Sequence, residues 1–428
     1  MDYSKVVKYL DDCLIFGIKP SLVRIHKIMD LMGEIGDTKF IHVVGTNGKT
    51  SVTKMVSAIL YGQGISCGYH ISPHITDYTE RFWYKGRDVS QKEFAGLFEA
   101  VYPFVEEVNR MDLGGPATQF EIIAAMAFLL AQKMGLKTMV LEAGMGGRWD
   151  ATNVVDSKVV GLTGVSLEHT QILGDSVEEI AEEKVQVVKK GASSATLSGD
   201  SKVLEILKKK VLEQGGDLYT YGSGFKILDL KKTKSGWNMD IRGIYQDYRD
   251  LDLHIMGAYQ AKNLALAIVL AELCQGSSLK EGPLRDSVGK VRVSGRFELI
   301  SKDPVVIADA SHNPEGIDWF KKNLEQYFSG KRKIIIFAVL KDKDYRSMVQ
   351  KVAGLADTLI ITTSKDERSL GIDMLEKELT EALRGQMGPE VVYKFGSIES
   401  SLKYALKIAK SSDIICITGS ITNLGHIV

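Results

Sequence analysis

Cysteine is scarce in this sequence, and several features of common protein classes are missing. Only four of the 428 residues are cysteine, and because no C-x-x-C pair occurs, a zinc site or redox dithiol of that kind is excluded. The chain also has no excess of charge of either sign: 54 Lys and Arg residues balance 54 Asp and Glu residues. No net field therefore attracts nucleic acid or an anionic membrane surface. No apolar run approaches the roughly 18 residues of a membrane span, and the first residues lack a signal-peptide pattern. We therefore expect a cytoplasmic protein with neither a nucleic-acid nor a membrane partner.

What the sequence does contain is an alternation of short β-branched apolar runs with amphipathic stretches. This pattern predicts βαβ units around a parallel sheet, and the fold class is predicted as α/β. The chain is too long for one ordinary core, so we expect a larger domain at 1–294 and a smaller α/β domain at 295–428. The expected strands lie at 40–44, 138–141, 159–163, 305–308, 334–338, 358–361 and 414–418, the expected helices lie at 50–61, 120–134 and 176–190, and a small β-rich subdomain is expected within 217–255.

The most specific local signal is a Gly-rich turn between a predicted strand and a predicted helix. Backbone N–H groups and a helix N-terminus at such a turn can cradle phosphate oxygens, and Lys49 is placed to neutralise the outer phosphates. A strict Walker loop, G-x-x-x-x-G-K-[ST], needs glycine where this chain has Val43, so the turn is a shortened relative; a Gly-rich turn without a ligand is the alternative. No Asn-Lys dipeptide of a guanine-reading motif occurs, which favours ATP over GTP. The predicted nucleotide-binding residues of the turn are Thr46, Asn47, Gly48, Lys49, Thr50 and Ser51.

Several further motifs follow the turn. They are Ser72-Pro73-His74 running to Glu80-Arg81, the T-x-F-E segment Thr118-Gln119-Phe120-Glu121, the segment E-A-G-M-G-G-R-W-D-A-T-N at 142–153, E-H-T-Q-I-L-G at 168–174, G-A-Y-Q-A-K-N at 257–263, G-R-F-E at 295–298 and D-A-S-H-N-P at 309–314. Together with the turn, they resemble the Mur ligase superfamily and, within it, the folylpolyglutamate synthase branch, which also includes dihydrofolate synthase. The resemblance covers nearly the whole chain. It departs from the family pattern at Glu168, which replaces Asp, at Val185-Gln186, which replaces Ala-Gly, and at Ala310-Ser311, which replaces Gly-Ala.

The resemblance implies a fold and an activity. The expected fold is a P-loop-type parallel-sheet ATPase domain with a small β-rich subdomain, followed by a Rossmann-like glutamate-ligase domain. The expected reaction phosphorylates the terminal γ-carboxylate of a folate with ATP, and the amine of L-glutamate then attacks the acyl phosphate. Magnesium favours carboxylate and phosphate oxygens, which makes Glu142, at a predicted strand end, a ligand candidate. The resemblance adds Ser72 and His169 as ligands and a carbamylated Lys184 that helps to hold a second magnesium ion.

Most of the remaining site residues are also implied by the resemblance. For the nucleotide these are Asn263, Arg296 and Asp309, and for the folate they are Thr118, Gln119, Phe120, Glu121, Trp149, Asp150 and Ala151. His312, with a catalytic role, and Asn313 follow a predicted strand of the second domain, where α/β folds commonly bind ligands, and they are expected at the site of the acyl phosphate or the incoming glutamate. Residues 341–344, a charged tetrad, are expected near the nucleotide or else as a solvated surface run. Phe120 could equally be a core residue.

Other functions remain open from the sequence. The nearest is dihydrofolate synthesis, the same ligase reaction on dihydropteroate, alone or as a second activity. A Mur-type cell-wall ligase shares the phosphate turn, and an ATP-binding regulatory module would bind ATP without transferring phosphate. We expect folate and L-glutamate as substrates and a monomeric enzyme.

Overall fold

The computed structural model describes residues 1–13, 21–384, 388–425 and 427. The chain forms two compact units: unit 1 comprises Met1–His254 and Tyr259–Val291, and unit 2 comprises Ile255–Ala258 and Arg292–Val428. Both units contain parallel strands with helices between them, which confirms the α/β class. The domain boundary predicted between residues 294 and 295 stays a prediction.

Unit 1 is built on an eight-stranded sheet whose order is β4-β3-β2-β5-β1-β6-β7-β8. Its strands are β1 Lys39–Val44, β2 Cys67–His70, β3 Phe82–Tyr84, β4 Arg87–Asp88, β5 Thr138–Glu142, β6 Val159–Leu162, β7 Ser193–Thr196 and β8 Leu218–Thr220. The central strand β1 pairs in parallel with β5 and β6, whereas β3 and β4 extend one edge in the antiparallel sense. The predicted strands at 40–44, 138–141 and 159–163 are therefore confirmed, and they are neighbours at the centre of the sheet.

The helices of this part of the chain each bury apolar side chains. They are α1 Tyr3–Asp12, α2 Val23–Met32, α3 Lys49–Gly62, α4 Gln91–Arg110, α5 Gln119–Met134, α6 Thr170–Leu173, α7 Val177–Lys184, α8 Ser201–Glu213, α9 Ala258–Gln275 and α10 Glu281–Lys290. One core cluster joins α1, α2, α4 and α5 with the sheet, and a second joins α7 and α8 with it. Among the described residues, no helix is both long and apolar enough to cross a membrane.

Two sequence predictions for unit 1 need correction or refinement. The helix predicted at 176–190 ends early, because α7 stops at Lys184 and a 3-10 turn, Val185–Val187, follows; the side chains of Val185 and Val187 are buried in the core there. The β-rich segment expected within 217–255 is confirmed as a three-stranded antiparallel sheet of β9 Lys226–Lys232, β10 Trp237–Arg242 and β11 Asp247–Leu253.

Unit 2 is a six-stranded sheet with the order β12-β13-β17-β14-β15-β16. Its strands are β12 Glu298–Lys302, β13 Val305–Ala308, β14 Lys333–Phe337, β15 Thr358–Ile361, β16 Val391–Lys394 and β17 Ile414–Thr418, and its helices are α11 Pro314–Phe328, α12 Tyr345–Ala353, α13 Ile372–Ala382 and α14 Ile398–Ile408. All pairs are parallel except β12 with β13. The four strands predicted in this half of the chain are confirmed.

Candidate active site

The phosphate-type turn lies at the carboxyl end of the central strand β1, directly before α3. Gly45 and Gly48 have φ angles of 145° and 92°, a region in which glycine is favoured. A Cβ on Gly45 would lie 2.0 Å from Thr163 Oγ1, and one on Gly48 would lie 2.9 Å from Asn263 Oδ1. Neither position accepts a side chain, so the turn presents bare backbone at a helix N-terminus, the geometry that receives phosphate oxygens.

The other residues of the turn frame this backbone. Lys49 Nζ donates to the carbonyl oxygens of Gly45 and Thr46, each at 2.9 Å, which holds the ammonium group against the turn. Thr46 and Ser51 are buried, whereas Asn47 is half-buried. The turn is therefore a charged, preformed cradle that fits the phosphates of a nucleoside triphosphate.

Three oxygen-bearing residues meet beside the cradle. Glu142, at the end of β5, accepts a hydrogen bond from Thr50 Oγ1 at 2.9 Å and another from the backbone N–H of Ser72 at 3.3 Å. Glu142 is buried, and the Ser72 hydroxyl is buried without a hydrogen-bond partner among the described residues. Two hydroxyls and a carboxylate of this kind are hard oxygen donors, which magnesium prefers, so these residues fit the ion.

His169 was predicted to complete the metal site. It precedes α6 and has a φ of 48°, and its role as a ligand stays a prediction. Among the residues that the structure describes, no three His, Cys, Asp or Glu side chains are grouped closely enough to hold a metal ion.

A buried ion pair lies directly behind the cradle. Lys184 Nζ is 2.7 Å from Glu168 Oε1 and donates to the carbonyl oxygen of Gly45 at 3.0 Å. The lysine side chain is 1% exposed and the glutamate side chain 10%. Burial lowers the pKa of Lys184, with Glu168 opposing the shift. Burial acts to raise the pKa of Glu168, but the ammonium groups of Lys184 and Lys49 outweigh it and lower that pKa to about 2.

One partner of this ion pair is a departure that the sequence already displayed. Glu168 stands where the family motif has Asp, and its side chain is one methylene longer, which extends its reach towards Lys184. Lys184 thereby connects the cradle, through Gly45, to the segment that begins α6. The sequence could show that Glu168 was unusual, but not what its carboxylate contacts.

The glycine-rich segment 144–153 packs closely on both sides. A Cβ on Gly144 would lie 2.6 Å from the ring of Phe120, and one on Gly147 would lie 2.5 Å from the carbonyl oxygen of Lys184. Arg148 forms a 3.0 Å ion pair with Glu183. The segment is therefore held between α5 and the end of α7, next to the buried ion pair.

The predicted folate residues of this segment divide into exposed and buried groups. Trp149 is 51% exposed, while Asp150 and Ala151 are buried. The carboxylate of Asp150 accepts hydrogen bonds from the backbone N–H groups of Met145 at 2.9 Å and Thr152 at 3.0 Å, and burial raises its pKa. Trp149 alone of the three offers a large open surface to a ligand.

The T-x-F-E residues begin α5, and three of them are tied to the protein itself. Thr118 and Glu121 form a reciprocal capping box, with Glu121 Oε2 accepting from the Thr118 N–H at 2.8 Å. Glu121 also forms a buried ion pair with Arg24 at 3.0 Å. Gln119 Nε2 donates to the hydroxyl of Tyr78 at 2.9 Å. Their predicted contacts with folate stay predictions, and half-buried Phe120 is the member with no such hydrogen bonding.

The predicted nucleotide residue Asn263 lies against the cradle, as its closeness to Gly48 shows. Its amide nitrogen donates to Gln260 Oε1 at 3.0 Å, and both residues are buried. Gln260, which the motif pattern contains but to which the sequence analysis gave no role, thus orients the Asn263 amide. This contact with Asn263 indicates a role for Gln260 that its place in the motif did not reveal.

In unit 2, four predicted residues gather around the end of β13. The buried carboxylate of Asp309 accepts from the N–H groups of Phe297 at 2.9 Å and Ser311 at 3.0 Å. Burial raises its pKa, against the lowering effects of the Ser311 hydrogen bonds and of the Arg296 charge. His312 Nδ1 lies 3.0 Å from the carbonyl oxygen of Ala310. Asn313 caps α11 by accepting from the Gly316 N–H at 2.7 Å. The structure thus brings Arg296, Asp309, His312 and Asn313 together at the carboxyl edge of this sheet, where α/β folds commonly bind ligands.

Comparisons with known proteins match both units. The family model of the Mur ligase middle domain matches residues 43–271, and that of the Mur ligase glutamate ligase domain matches residues 295–421. A dihydrofolate synthase/folylpolyglutamate synthase of Bacillus subtilis is 29% identical over 425 residues, covering 98% of this chain and 96% of the relative. A folylpolyglutamate synthase of Lacticaseibacillus casei is 27% identical over 373 residues, covering 84% of this chain and 85% of the relative.

A solved structure is similar along almost the entire chain. It is a folylpolyglutamate synthase of Mycobacterium tuberculosis complexed with ADP, with a TM-score of 0.93 and 28% sequence identity. The similarity covers 99% of this chain and 97% of that one.

Proposed function

The chain belongs to the Mur ligase family, within its group of folylpolyglutamate and dihydrofolate synthases, and we propose that it adds L-glutamate to the γ-carboxylate of folates at the expense of ATP. The observation that carries the proposal is the meeting of the bare-backbone cradle with Lys49, Thr50, Ser72 and Glu142 in unit 1. A carboxylate and an amine do not condense in water without a leaving group. ATP bound in the cradle supplies one, because transfer of its γ-phosphate to the carboxylate makes an acyl phosphate from which phosphate can leave.

The residues of the cradle act mainly by position and charge. Backbone N–H groups at the start of α3 hold the phosphate oxygens, and Lys49 neutralises the charge that develops as the γ-phosphoryl group moves. Glu142, Ser72 and the predicted ligand His169 would hold a magnesium ion, which would supply positive charge beside the transferred phosphate. Thr50 orients the carboxylate of Glu142 through its 2.9 Å hydrogen bond.

The folate and the incoming glutamate are assigned to different segments of the chain. Phe120 and exposed Trp149 present aromatic surface to the folate, and the segment 144–153 lies close to the cradle. His312 and Asn313, at the carboxyl edge of the unit 2 sheet, are assigned to the acyl phosphate or the incoming glutamate, while Asn263, Arg296 and Asp309 are assigned to the nucleotide. These assignments rest on the motif matches and on the placements described above.

Carbamylation of Lys184 is part of the proposal. The neutral amine adds to carbon dioxide and releases one proton, and burial favours that neutral form by lowering the pKa of Lys184. The carbamate carries a negative charge, so it would have to leave the carboxylate of Glu168 and turn towards a second magnesium ion. Carbon-13 NMR of protein equilibrated with labelled bicarbonate tests this: a carbamate signal lost in Lys184→Gln supports it, and its absence from the unsubstituted protein overturns it.

One assay tests the central function. The purified protein is incubated with ATP, magnesium and labelled glutamate, with either tetrahydrofolate or dihydropteroate as acceptor, and ADP release and product mass are followed. A gain of one glutamyl unit on tetrahydrofolate supports folylpolyglutamate synthesis. ATP binding without product from either acceptor contradicts the folate assignment.

Dihydrofolate synthesis is the second candidate function. It is favoured by the Bacillus subtilis relative, whose name carries both activities. Product from dihydropteroate in the same assay would make the enzyme bifunctional. We also propose a monomeric, cytoplasmic enzyme, and size-exclusion chromatography at several protein concentrations tests the monomer.

A further inference from the structure

A buried chain of hydrogen bonds runs from the central strand β1 to the glycine-rich segment. His42 Nε2 lies 2.8 Å from Thr152 Oγ1, and the Thr152 hydroxyl in turn donates to Asp150 Oδ1. His42 and Thr152 are fully buried, and Asp150 is nearly so. The chain therefore lies in the core, where no water replaces a lost hydrogen bond.

The bonding pattern sets the direction of the chain. The hydroxyl of Thr152 has one hydrogen, which it gives to Asp150, so its oxygen accepts from His42 and the proton of the imidazole is on Nε2. Burial lowers the pKa of His42 to about 3, which keeps the ring neutral at pH 7. The other ring nitrogen, Nδ1, is buried without a partner among the described residues. Among the described residues, the hydrogen bond to Thr152 is thus the one that the His42 ring makes.

The far end of the chain shapes the segment that carries Trp149. Asp150 Oδ2 accepts from the N–H of Met145 at 2.9 Å, which closes the turn 145–150 from within. The same turn contacts the end of α7, where Arg148 N–H donates to the carbonyl oxygen of Glu183 at 3.0 Å. A shift of the Asp150 carboxylate therefore moves the turn and, with it, the indole of Trp149.

The near end of the chain is fixed to the strand that feeds the cradle. His42 lies on β1, three residues before Gly45, and its backbone is paired with β5 and β6 on either side. Side chains two residues apart share a face of a strand, and Phe40 on that face packs against Phe128 of α5 at 6.0 Å between ring centres. The imidazole thus projects from an inner strand that is paired on both sides.

We propose that His42 is a positioning residue for the folate-facing turn 145–150, acting through Thr152 and Asp150, so that one strand sets the place of both the phosphate cradle and the folate surface. The assignment of the turn to folate rests on the proposed function. His42 touches no reacting group in this scheme. The other interpretation is that the chain only stabilises the core, in which case its loss lowers stability without moving the turn.

The matched variants are Thr152→Val, which removes the hydroxyl while keeping the shape, and Thr152→Ser, which keeps the hydroxyl. His42→Leu breaks the chain at its other end. Thr53→Val is the control, because Thr53 is fully buried and its hydroxyl has no partner among the described residues. Melting temperature is recorded for each variant, so that unfolding is recognised.

The first measurement is hydrogen–deuterium exchange of the peptide covering 144–153, without substrates. We expect faster exchange in Thr152→Val and His42→Leu than in the unsubstituted protein, Thr152→Ser or Thr53→Val. Equal exchange in all five proteins overturns the proposal. This readout does not depend on the folate assignment.

The second measurement separates the KM values for tetrahydrofolate and ATP. Loss of one buried hydrogen bond predicts a rise of about five- to tenfold in the folate KM for Thr152→Val and His42→Leu. Their KM for ATP should stay within about twofold of the parent value. Thr152→Ser should have the folate KM of the parent, because it keeps the hydroxyl. Equal rises in both KM values contradict a role in positioning the folate turn. Altered exchange together with no product from the unsubstituted protein would instead reject the proposed function and leave the positioning role in place.

Discussion

Two regions of unit 1 carry equally clear sequence motifs, yet their side chains are used differently. In the phosphate corner, which we define as residues 45–50 with Ser72, Glu142 and Lys184, the motif residues contact one another across the ends of neighbouring strands. In the capping segment, Thr118–Glu121, the side chains of Thr118, Gln119 and Glu121 bond to backbone groups, Tyr78 and Arg24. A motif match thus identifies a position, but not whether its side chain faces a ligand or the framework.

The comparison predicts that substitutions in the phosphate corner reduce catalysis and that substitutions in the capping segment reduce stability. The largest effect is expected for Lys49→Met, which removes the charge that faces the moving phosphoryl group. We expect kcat/KM, measured by ADP release, to fall about 10³-fold, equivalent to about 4 kcal/mol. Lys54→Met, on the same helix and over the ring of Tyr69, is the control and should stay within about twofold. If kcat/KM of Lys49→Met lies within tenfold of the parent value, the phosphate corner has no catalytic role.

Glu168→Gln is expected to combine both effects, because Glu168 pairs with buried Lys184 inside the corner. In protein freed of carbon dioxide, so that Lys184 is not carbamylated, an uncompensated buried ammonium should cost about 3 kcal/mol in the free energy of unfolding, measured in urea at pH 7. Glu178→Gln, which breaks an exposed pair with Lys202, should cause no measurable change. Equal stability of the two variants would show that the buried pair contributes nothing net.

The same pair gives a pH dependence. The pKa of Glu168 is lowered from 4.5 to about 2 in the folded protein, so its contribution is present above pH 4.5 and is lost as the pH falls from 4.5 towards 2. Glu168→Gln should lack this part of the acid destabilisation, whereas Glu178→Gln should retain it. Urea denaturation at half-unit pH steps measures the difference.

Glu121→Gln tests the capping segment. We expect a loss of about 2 kcal/mol in stability, since the charge paired with buried Arg24 is removed while an oxygen remains to accept hydrogen bonds. The KM for tetrahydrofolate should stay within about twofold. The opposite pattern, a large rise in folate KM at unchanged stability, would place Glu121 against substrate and erase the contrast between the two regions.

The smallest effect is expected for Thr118→Ala, which removes the side-chain cap of α5. Such a cap contributes about 1 kcal/mol, so the melting temperature should fall by a few degrees while kcat is preserved. Thr118→Ser keeps the hydroxyl and should recover most of the loss. A larger loss of activity than of stability in Thr118→Ala would assign Thr118 a contact with the substrate.

Much of the fold was accessible from sequence because it depends on local periodicity. The central strands, α3 and α5 follow from alternating or helical apolar patterns, and the cradle follows from glycines whose backbone conformations other residues disfavour. Periodicity failed at the end of α7, where buried Val185 and Val187 continue the apolar pattern into a 3-10 turn. The short strands β3 and β4 carry too few residues to display a period, and the edge strand β16 is largely exposed, so it lacks a buried apolar run.

The sequence by itself determined that this chain is an α/β protein of the Mur ligase type with a phosphate-binding turn, since those conclusions rest on neighbouring residues and on motif order. Only the tertiary structure decided what each motif residue contacts. Thr50 meets Glu142 across 92 residues of chain, and His42 meets Thr152 across 110. Such pairings depend on which strands become neighbours in the sheet, and no local pattern encodes the distance between two side chains that folding alone brings together.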